Sequence, residues 1–473
     1  MLKEVMEHLN HPPMEFRGVP FWSWNGKLEE TELRRQIRVM KEMGFGGFFM
    51  HSRLGLATEY LSEEWFSLVN ACIDEAGKQG LSAWLYDEDR YSSGSAGGEV
   101  GREKQFRLRT LNCEILSETD FRGGDVAHFA GRVEGNSLFS PRRLHPGDSL
   151  MEGESFLRFF TKDAPLRDWD NNSYAPDLMN PEAVRKFIEV THEKYAREIP
   201  GDFGRTVPGI FTDEPNYSNW TDAVVEETRK RYGYDLLDHL PELFFVVDGE
   251  ECSRIRLNHY EIMTDLFVKS FSKQIGEWCG KHNLMFTGHV LCEDSLVSQS
   301  VDVGSAMRFY EYMQAPGIDL LTEHWTIYDT AKQCVSMARQ FGRKIRLSET
   351  YGCTGWDFPF LGHKALGDWQ ASRNQSALSA SCLVLDGGGG KTGLSGQHLL
   401  SVAVVPSLSG GGGLLCETRS RALRRRGGPR SACHPSDRVD LVRETDLRDE
   451  RCGERRREQP PDLAPEHPAE RKY

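Results

Sequence analysis

The stretch Gly209-Ile210-Phe211-Thr212-Asp213-Glu214-Pro215-Asn216 decides how this chain is read. A short apolar run rises to two adjacent carboxylates. It stops at Pro215, which cannot donate to a sheet ladder and so closes a buried strand. A second stretch of the same kind lies far downstream, Ile345-Arg346-Leu347-Ser348-Glu349-Thr350-Tyr351-Gly352. Two glutamates at the ends of distant strands are what cleavage of a glycosidic bond needs. One carboxyl protonates the leaving oxygen, and the other attacks the sugar or activates water.

Upstream, Val19 to Asn25 is a candidate first strand, and Leu33, Ile37, Met40 and Met43 recur at helical spacing before Gly44. Gly46 to Arg53 reads as a second strand. Ser62 caps the next helix, Gly80 stops it, and Leu81 to Asp89 is a third strand ending in acids. From about Gln105 to Pro165 the pattern turns to alternating segments with turn residues, an inserted β subdomain on the loop after the third strand. Helical spacing resumes at Asn180-Pro181, and strand-like runs recur at Leu284–Glu293, Gly317–Trp325 and Ile345–Gly352. About seven strand–helix units predict an α/β fold, a (β/α)8 TIM-barrel-like domain lacking its last strand. An open doubly wound sheet is the alternative. The barrel is favoured because polar tips on nearly every strand would converge on one mouth. The expected division is residues 1–104 and 167–370 for the barrel, 105–166 for the insertion and 371–473 for a disordered tail.

The 473 residues carry a net charge of −13, which argues against a nucleic-acid surface. No apolar run approaches the roughly 20 residues of a membrane span. Without a signal-peptide pattern at Met1 the expected location is the cytoplasm, with the 11 cysteines as free thiols. No HExxH, no GxGxxG after a strand and no P-loop is present, so zinc hydrolases and nucleotide enzymes lose support.

Glu214 and Glu349 end the fourth and seventh strands on this count and would face each other across the mouth. Each stands near an aromatic, Tyr217 or Tyr351. The plain alternative for either one is a strand-end carboxylate capping a helix or pairing with arginine. Glu214 is the expected acid, since Asp213 next door would raise its pKa if the two carboxyls sit close. Glu349 is the expected nucleophile or base. Retention or inversion depends on the carboxyl separation, about 5 Å against about 6.5–9.5 Å. Asp87 and Asp89 would bind sugar hydroxyls or, with Glu293 or Glu323, a divalent cation; a solvated acidic loop is the alternative. His51, Arg53, Asp213, His289, Glu323, His324 and Tyr351 fit hydroxyl recognition. Trp22, Trp24, Trp325 and Trp356 are candidate stacking faces for a sugar, with core packing the expected role of at least half of them.

Five blocks, Pro20 to Arg53 (PFWSWNGKLEETELRRQIRVMKEMGFGGFFMHSR), AWLYDEDRYSSGSAGG, GIFTDEPNY, TGHVLCED and LSETYGCTGWDF, resemble the bacterial glycoside hydrolases related to the α-L-rhamnosidases of family 106. The resemblance covers about Pro13 to Gln370. It implies a (β/α)8 catalytic domain, a carboxylate pair, plant or microbial glycans as substrates and further β-rich domains after the barrel, and it admits calcium in the active site; no cofactor is expected to be required. Rival readings are a carbohydrate-binding remnant without activity and a metal-dependent sugar isomerase on the same barrel.

Composition changes abruptly at about residue 371. Beyond it the chain has no Phe, Trp, Met or Ile and is rich in Arg, Gly, Ser and Pro. A disordered tail or an out-of-frame translation explains this, and either leaves the barrel without an eighth strand.

Overall fold

The computed structural model describes residues 12–14, 17–322, 327–354, 358–372, 379–380 and 382–384. Strands follow one another in chain order around one sheet. They are β1 (Phe21–Trp24), β2 (Gly47–Ser52), β3 (Ser82–Asp89), β4 (Gly209–Thr212), β5 (Met285–Gly288), β6 (Ala315–Leu320), β7 (Leu347–Thr350) and β8, made of Ser379–Ala380 and Cys382–Val384. Every neighbouring pair is parallel.

β8 corrects the expectation of a missing last strand. Ser379–Ala380 pairs with β7 (Glu349↔Ala380), and Cys382–Val384 pairs with β1 (Trp22↔Leu383), so one segment joins both edges. An open sheet leaves two rows of unpaired backbone groups, and ladder pairing needs no large side chain. Composition was therefore a poor guide to this strand. The rest of the expected tail lies outside the described residues, as do Glu323, His324, Trp325 and Trp356.

Strand residues alternate between two cores. Phe21, Phe49, Trp84, Tyr86, Phe211 and Leu347 form one buried cluster, drawn from five strands. Phe21 of β1 meets Phe211 of β4 with ring centroids 4.9 Å apart, a contact made across the barrel interior. Trp22, Phe48, Met50, Leu85, Ile210, Phe286 and Ile318 belong to the larger cluster shared with the helices. Between β4 and β5 the strands leave no room for a side chain at Gly288. Its φ is +124°, and an added Cβ would lie 1.8 Å from the Thr212 carbonyl oxygen. Phe211 is fully buried and touches Phe21, Phe49, Tyr86 and His289. Phe211→Ala is expected to cost about 3–5 kcal/mol of unfolding free energy in chemical denaturation. A loss below about 1 kcal/mol would mean that neighbouring rings refill the gap.

The surrounding helices follow local signals. Glu30–Glu42 buries Leu33, Ile37 and Met40. Glu63–Gln79 starts where the Ser62 hydroxyl accepts from the Trp65 N–H at 3.2 Å and ends at left-handed Gly80. Pro181–Val190 starts at Asn180, whose side chain accepts from the Glu182 N–H.

Residues Arg109–Leu116, Ala127–Glu134, Ser137–Leu144 and Ser155–Asp163 form an antiparallel sheet after β3. Val246–Val247, from the β4–β5 connection, adds a parallel edge, so the sheet draws on residues beyond 105–166. Its strand Arg109–Leu116 is tied to the loop after β4. Leu111 and Asn219 exchange two hydrogen bonds of 2.9 Å, and Arg109 pairs with Asp222. The insertion thereby braces the segment that follows Glu214.

No described helix is long and apolar enough to cross a membrane. Cys72, Cys113, Cys252, Cys279, Cys334 and Cys353 are free thiols, whereas Cys292 is disulfide-bonded, which departs from the expectation of thiols throughout.

Candidate active site

The alternation that separates the two cores also builds the site. Asp213 stands two residues beyond Phe211, and Glu349 two beyond Leu347, so both continue the inward face of their strands. Asp319 alternates with Ile318 and Leu320 of the outer core and is the register partner of Glu349. His289 follows Gly288 at the tip of β5. Four consecutive strands thus each deliver one polar group. The His289 Nε2 lies 3.2 Å from Asp213 Oδ1, and its Nδ1 lies 3.8 Å from Glu349 Oε2. The Tyr86 hydroxyl donates to Asp213 Oδ2 at 2.6 Å.

Glu214 would face outward on strand alternation alone. Its backbone is instead left-handed, with φ 44°, which turns the chain at the strand tip. Ligating atoms of Glu214, His289 and Asp319 consequently gather within 4.8 Å of one another, as do those of Asp213, His289 and Glu349. The Tyr91 hydroxyl donates to Glu214 Oε2.

Tyr91 belongs to the loop after β3, and Glu88 organises that loop. Its buried carboxylate accepts from the backbone N–H groups of Asp89, Gly94, Ser95, Ala96 and Gly97. The same loop is stitched to β4. The Ser93 N–H donates to the Asp213 carbonyl at 2.8 Å, the Asp213 N–H donates to Ser93 Oγ at 2.7 Å, and Ser93 Oγ donates to Asp87.

Burial opposes charge throughout this region, and specific partners decide the outcome. For Asp213, burial is outweighed by the hydrogen bond and charge of His289, then by Tyr86 and His51, so its carboxyl sits below the usual range. For His289, burial is outweighed by Asp213, Asp319 and Glu349, which hold the imidazole well above its ordinary value. Glu349 is pushed well up by burial and then by Asp319 and Asp213, with His289 offsetting part of this. Burial pushes Glu293 up to about 8, against His289 and the Tyr310 hydroxyl that bonds it.

Burial likewise pushes Asp87 up to about 8, opposed by the Ser93 hydroxyl. A carboxyl raised in the folded state is protonated there while the unfolded chain ionises. Folding stability from this group therefore falls as pH rises from the ordinary carboxyl range through about 8. Asp87→Asn should flatten that decline, so that the variant gains on the wild type in unfolding midpoint as pH rises. An unchanged pH slope would exclude Asp87 as its source.

The expected site residues among those described divide into three groups. Asp213, Glu214, His289 and Glu349 come together as described. His51 is buried one layer below, stacked on Tyr86 at 3.7 Å with Nε2 3.1 Å from the Arg90 carbonyl oxygen; burial and Arg53 push it down to about 3, so it is neutral. Arg53 stands half-buried just past β2. Tyr351 is buried with φ 70° and packs on His363 at 4.7 Å.

The remaining expected residues serve the fold. Trp24, read as a stacking face, shares the outward parity of Trp22 and packs edge-to-face on Trp22 and Trp65 in the helix layer. Asp87 is fully buried. Asp89 is also buried and is held by Ser52 and Asn171, so neither carboxylate is open to a sugar hydroxyl. Tyr217, taken as the aromatic beside Glu214, is a core residue whose hydroxyl donates to the Ser300 carbonyl. Asp319 and Tyr91 are the site groups that sequence reasoning passed over. The alternation in Ala315-Pro316-Gly317-Ile318-Asp319-Leu320 carried a signal for the first, since a lone acid inside an apolar strand must have a partner.

Residues 167–354 match the family model of the α-L-rhamnosidases of glycoside hydrolase family 106, and all five convergent polar groups fall inside that stretch. Among solved structures, the rhamnosidase from Novosphingobium sp. PP1Y superposes with a TM-score of 0.65 at 14% identity, over 89% of this chain and 60% of that chain. The present chain thus spans 60% of the length of that protein, and the likeness is one of fold. The endo-β-1,4-mannanase from Thermotoga petrophila gives a TM-score of 0.43 at 8% identity, over 89% of this chain and 80% of that one. The endo-1,4-β-mannanase from Rhizomucor miehei gives 0.42 at 10% identity, over 87% and 96%. No curated protein matches the chain.

Proposed function

We propose that this barrel hydrolyses the glycosidic bond of a terminal α-L-rhamnose, with Glu214 and Glu349 as its carboxylate pair. The observation that carries the reading is the placement of both carboxylates around His289 at the tips of β4 and β7. The match over residues 167–354 supplies the sugar class. Glu214, half-buried and bonded by Tyr91, is the acid that protonates the leaving oxygen. Glu349 acts on the anomeric side as base or nucleophile. The His289 imidazolium, flanked by Asp213 and Asp319, holds the acids in place and keeps Asp213 ionised.

Acids outnumber the single imidazolium here, and Glu349 Oε2 is buried without a hydrogen bond. That donor set fits a hard divalent cation such as calcium. Asp213, Asp319 and Glu349 would hold it, and its charge would favour the ionised form of Glu349 while binding sugar hydroxyls. An exchange of roles is the second reading, because the ligand-free surroundings favour a proton on Glu349.

The test is release of rhamnose from a rhamnosyl–glucose disaccharide by the purified full chain, followed by chromatography with and without added calcium. Rhamnose release supports the reading. Binding without cleavage in both conditions would point to a non-catalytic carbohydrate-binding protein, and an isomerised product to a sugar isomerase.

A further inference from the structure

An exposed indole stands beside the acid in a place the reading above leaves unused. Trp169 is 42% exposed, in contrast to the buried tryptophans of the barrel wall. Its ring meets that of Tyr91 at 6.2 Å between centroids and 80° between planes. The Tyr91 hydroxyl in turn donates to Glu214. Indole, phenol and acid therefore form one continuous row from solvent to the catalytic carboxyl.

The row is held from several sides. Trp169 rides on a short turn, Asp168–Asp170. The Arg90 guanidinium donates to the Asp168 carbonyl at 2.9 Å. Asp170 is buried and paired with Arg167 at 2.5 Å, and the Asn171 amide donates to Asp89 Oδ2 at 2.8 Å and to the Gly97 carbonyl at 3.0 Å. A large apolar ring kept in water on a pinned turn is poised to stack on something flat.

We propose that Trp169 is the platform for the leaving group, and that this leaving group is itself a pyranose ring. The inference rests on Glu214 as the acid. The oxygen that takes its proton remains with the departing half of the substrate, so that half must lie against Glu214 and Tyr91. Trp169 is the apolar face next along the row. The exposed Asp168 and the half-buried Arg90 beside it are polar neighbours for ring hydroxyls. A sugar, with one apolar face and a polar rim, matches that combination.

The test compares the wild type with Trp169→Ala and Trp169→Phe on two substrates, a rhamnosyl–glucose disaccharide and α-L-rhamnosyl fluoride, whose leaving group has no ring. Trp169→Ala should lower kcat/KM on the disaccharide by about tenfold or more, with a clearly smaller loss on the fluoride, and Trp169→Phe should recover most of it. Equal losses on both substrates, or none on the disaccharide, would overturn the inference. If the wild type cleaves neither substrate, the active-site reading fails, and saturation-transfer NMR with the disaccharide still decides this one. Transfer to the glucose-ring protons that vanishes in Trp169→Ala supports it. Unchanged transfer, or none in the wild type, overturns it.

Discussion

Glu214→Gln is expected to lower kcat on a disaccharide by about 10²–10⁴-fold, the usual worth of a positioned general acid. Glutamine keeps the shape of the side chain and an oxygen that accepts from Tyr91, and the left-handed backbone costs it about what it costs glutamate. The fold should survive, and circular dichroism with a thermal midpoint close to the wild type would verify that. The leaving group then identifies the role. An acid is needed to expel a sugar alkoxide and hardly needed to expel fluoride. The loss in Glu214→Gln should therefore shrink by orders of magnitude on rhamnosyl fluoride, whereas Glu349→Gln should lose heavily on both. The opposite pattern would exchange the two roles, as the protonation-favouring surroundings of Glu349 allow. Near-normal disaccharide turnover by Glu214→Gln would remove it from the mechanism altogether.

Glu88→Gln is the second large effect, and it falls on stability. All five hydrogen bonds received by the Glu88 oxygens come from backbone N–H donors, three on Oε2 and two on Oε1. Burial, with Asp87 and Asp170 nearby, pushes this carboxyl up to about 8 even against the Gly97 and Asp89 N–H groups. A carboxyl proton among N–H donors has nothing to bond to, however, so the donor set favours the carboxylate. Glutamine turns one oxygen into an amine that faces donors and leaves at least two buried N–H groups without an acceptor. At about 1–3 kcal/mol for each orphaned group, the expected loss is about 3–5 kcal/mol. Chemical denaturation measures it, and hydrogen exchange should localise it to residues 89–98. Activity should fall as well, because the loosened loop carries Tyr91. A loss below about 1 kcal/mol would show that the loop is held by something other than Glu88.

Much of this was legible in sequence because strand alternation and helix capping are local. Short apolar runs ending in polar tips marked seven of the eight barrel strands. Asp213, Glu214, His289 and Glu349 stood out as strand-tip groups before any coordinates. Ser62, Gly80 and Asn180-Pro181 bounded their helices for reasons contained in a few residues.

Tertiary structure decided the remainder. A parallel barrel strand is buried on both faces, so its sequence cannot tell which face is the interior. That is why Trp24 was read towards the mouth when it faces the helices, and why Asp319 was missed while its register partner Glu349 was found. β8 was hidden because ladder pairing is indifferent to side-chain size. The Tyr91–Glu214 contact and the position of Trp169 depend on a loop folded around Glu88 and on the left-handed turn at Glu214. Sequence alone marked seven of the eight strands along the chain and the acids and histidine at their tips. The inward face, the loop that holds the acid and the closure of the ring rest on contacts between residues far apart in the chain, which no local period encodes.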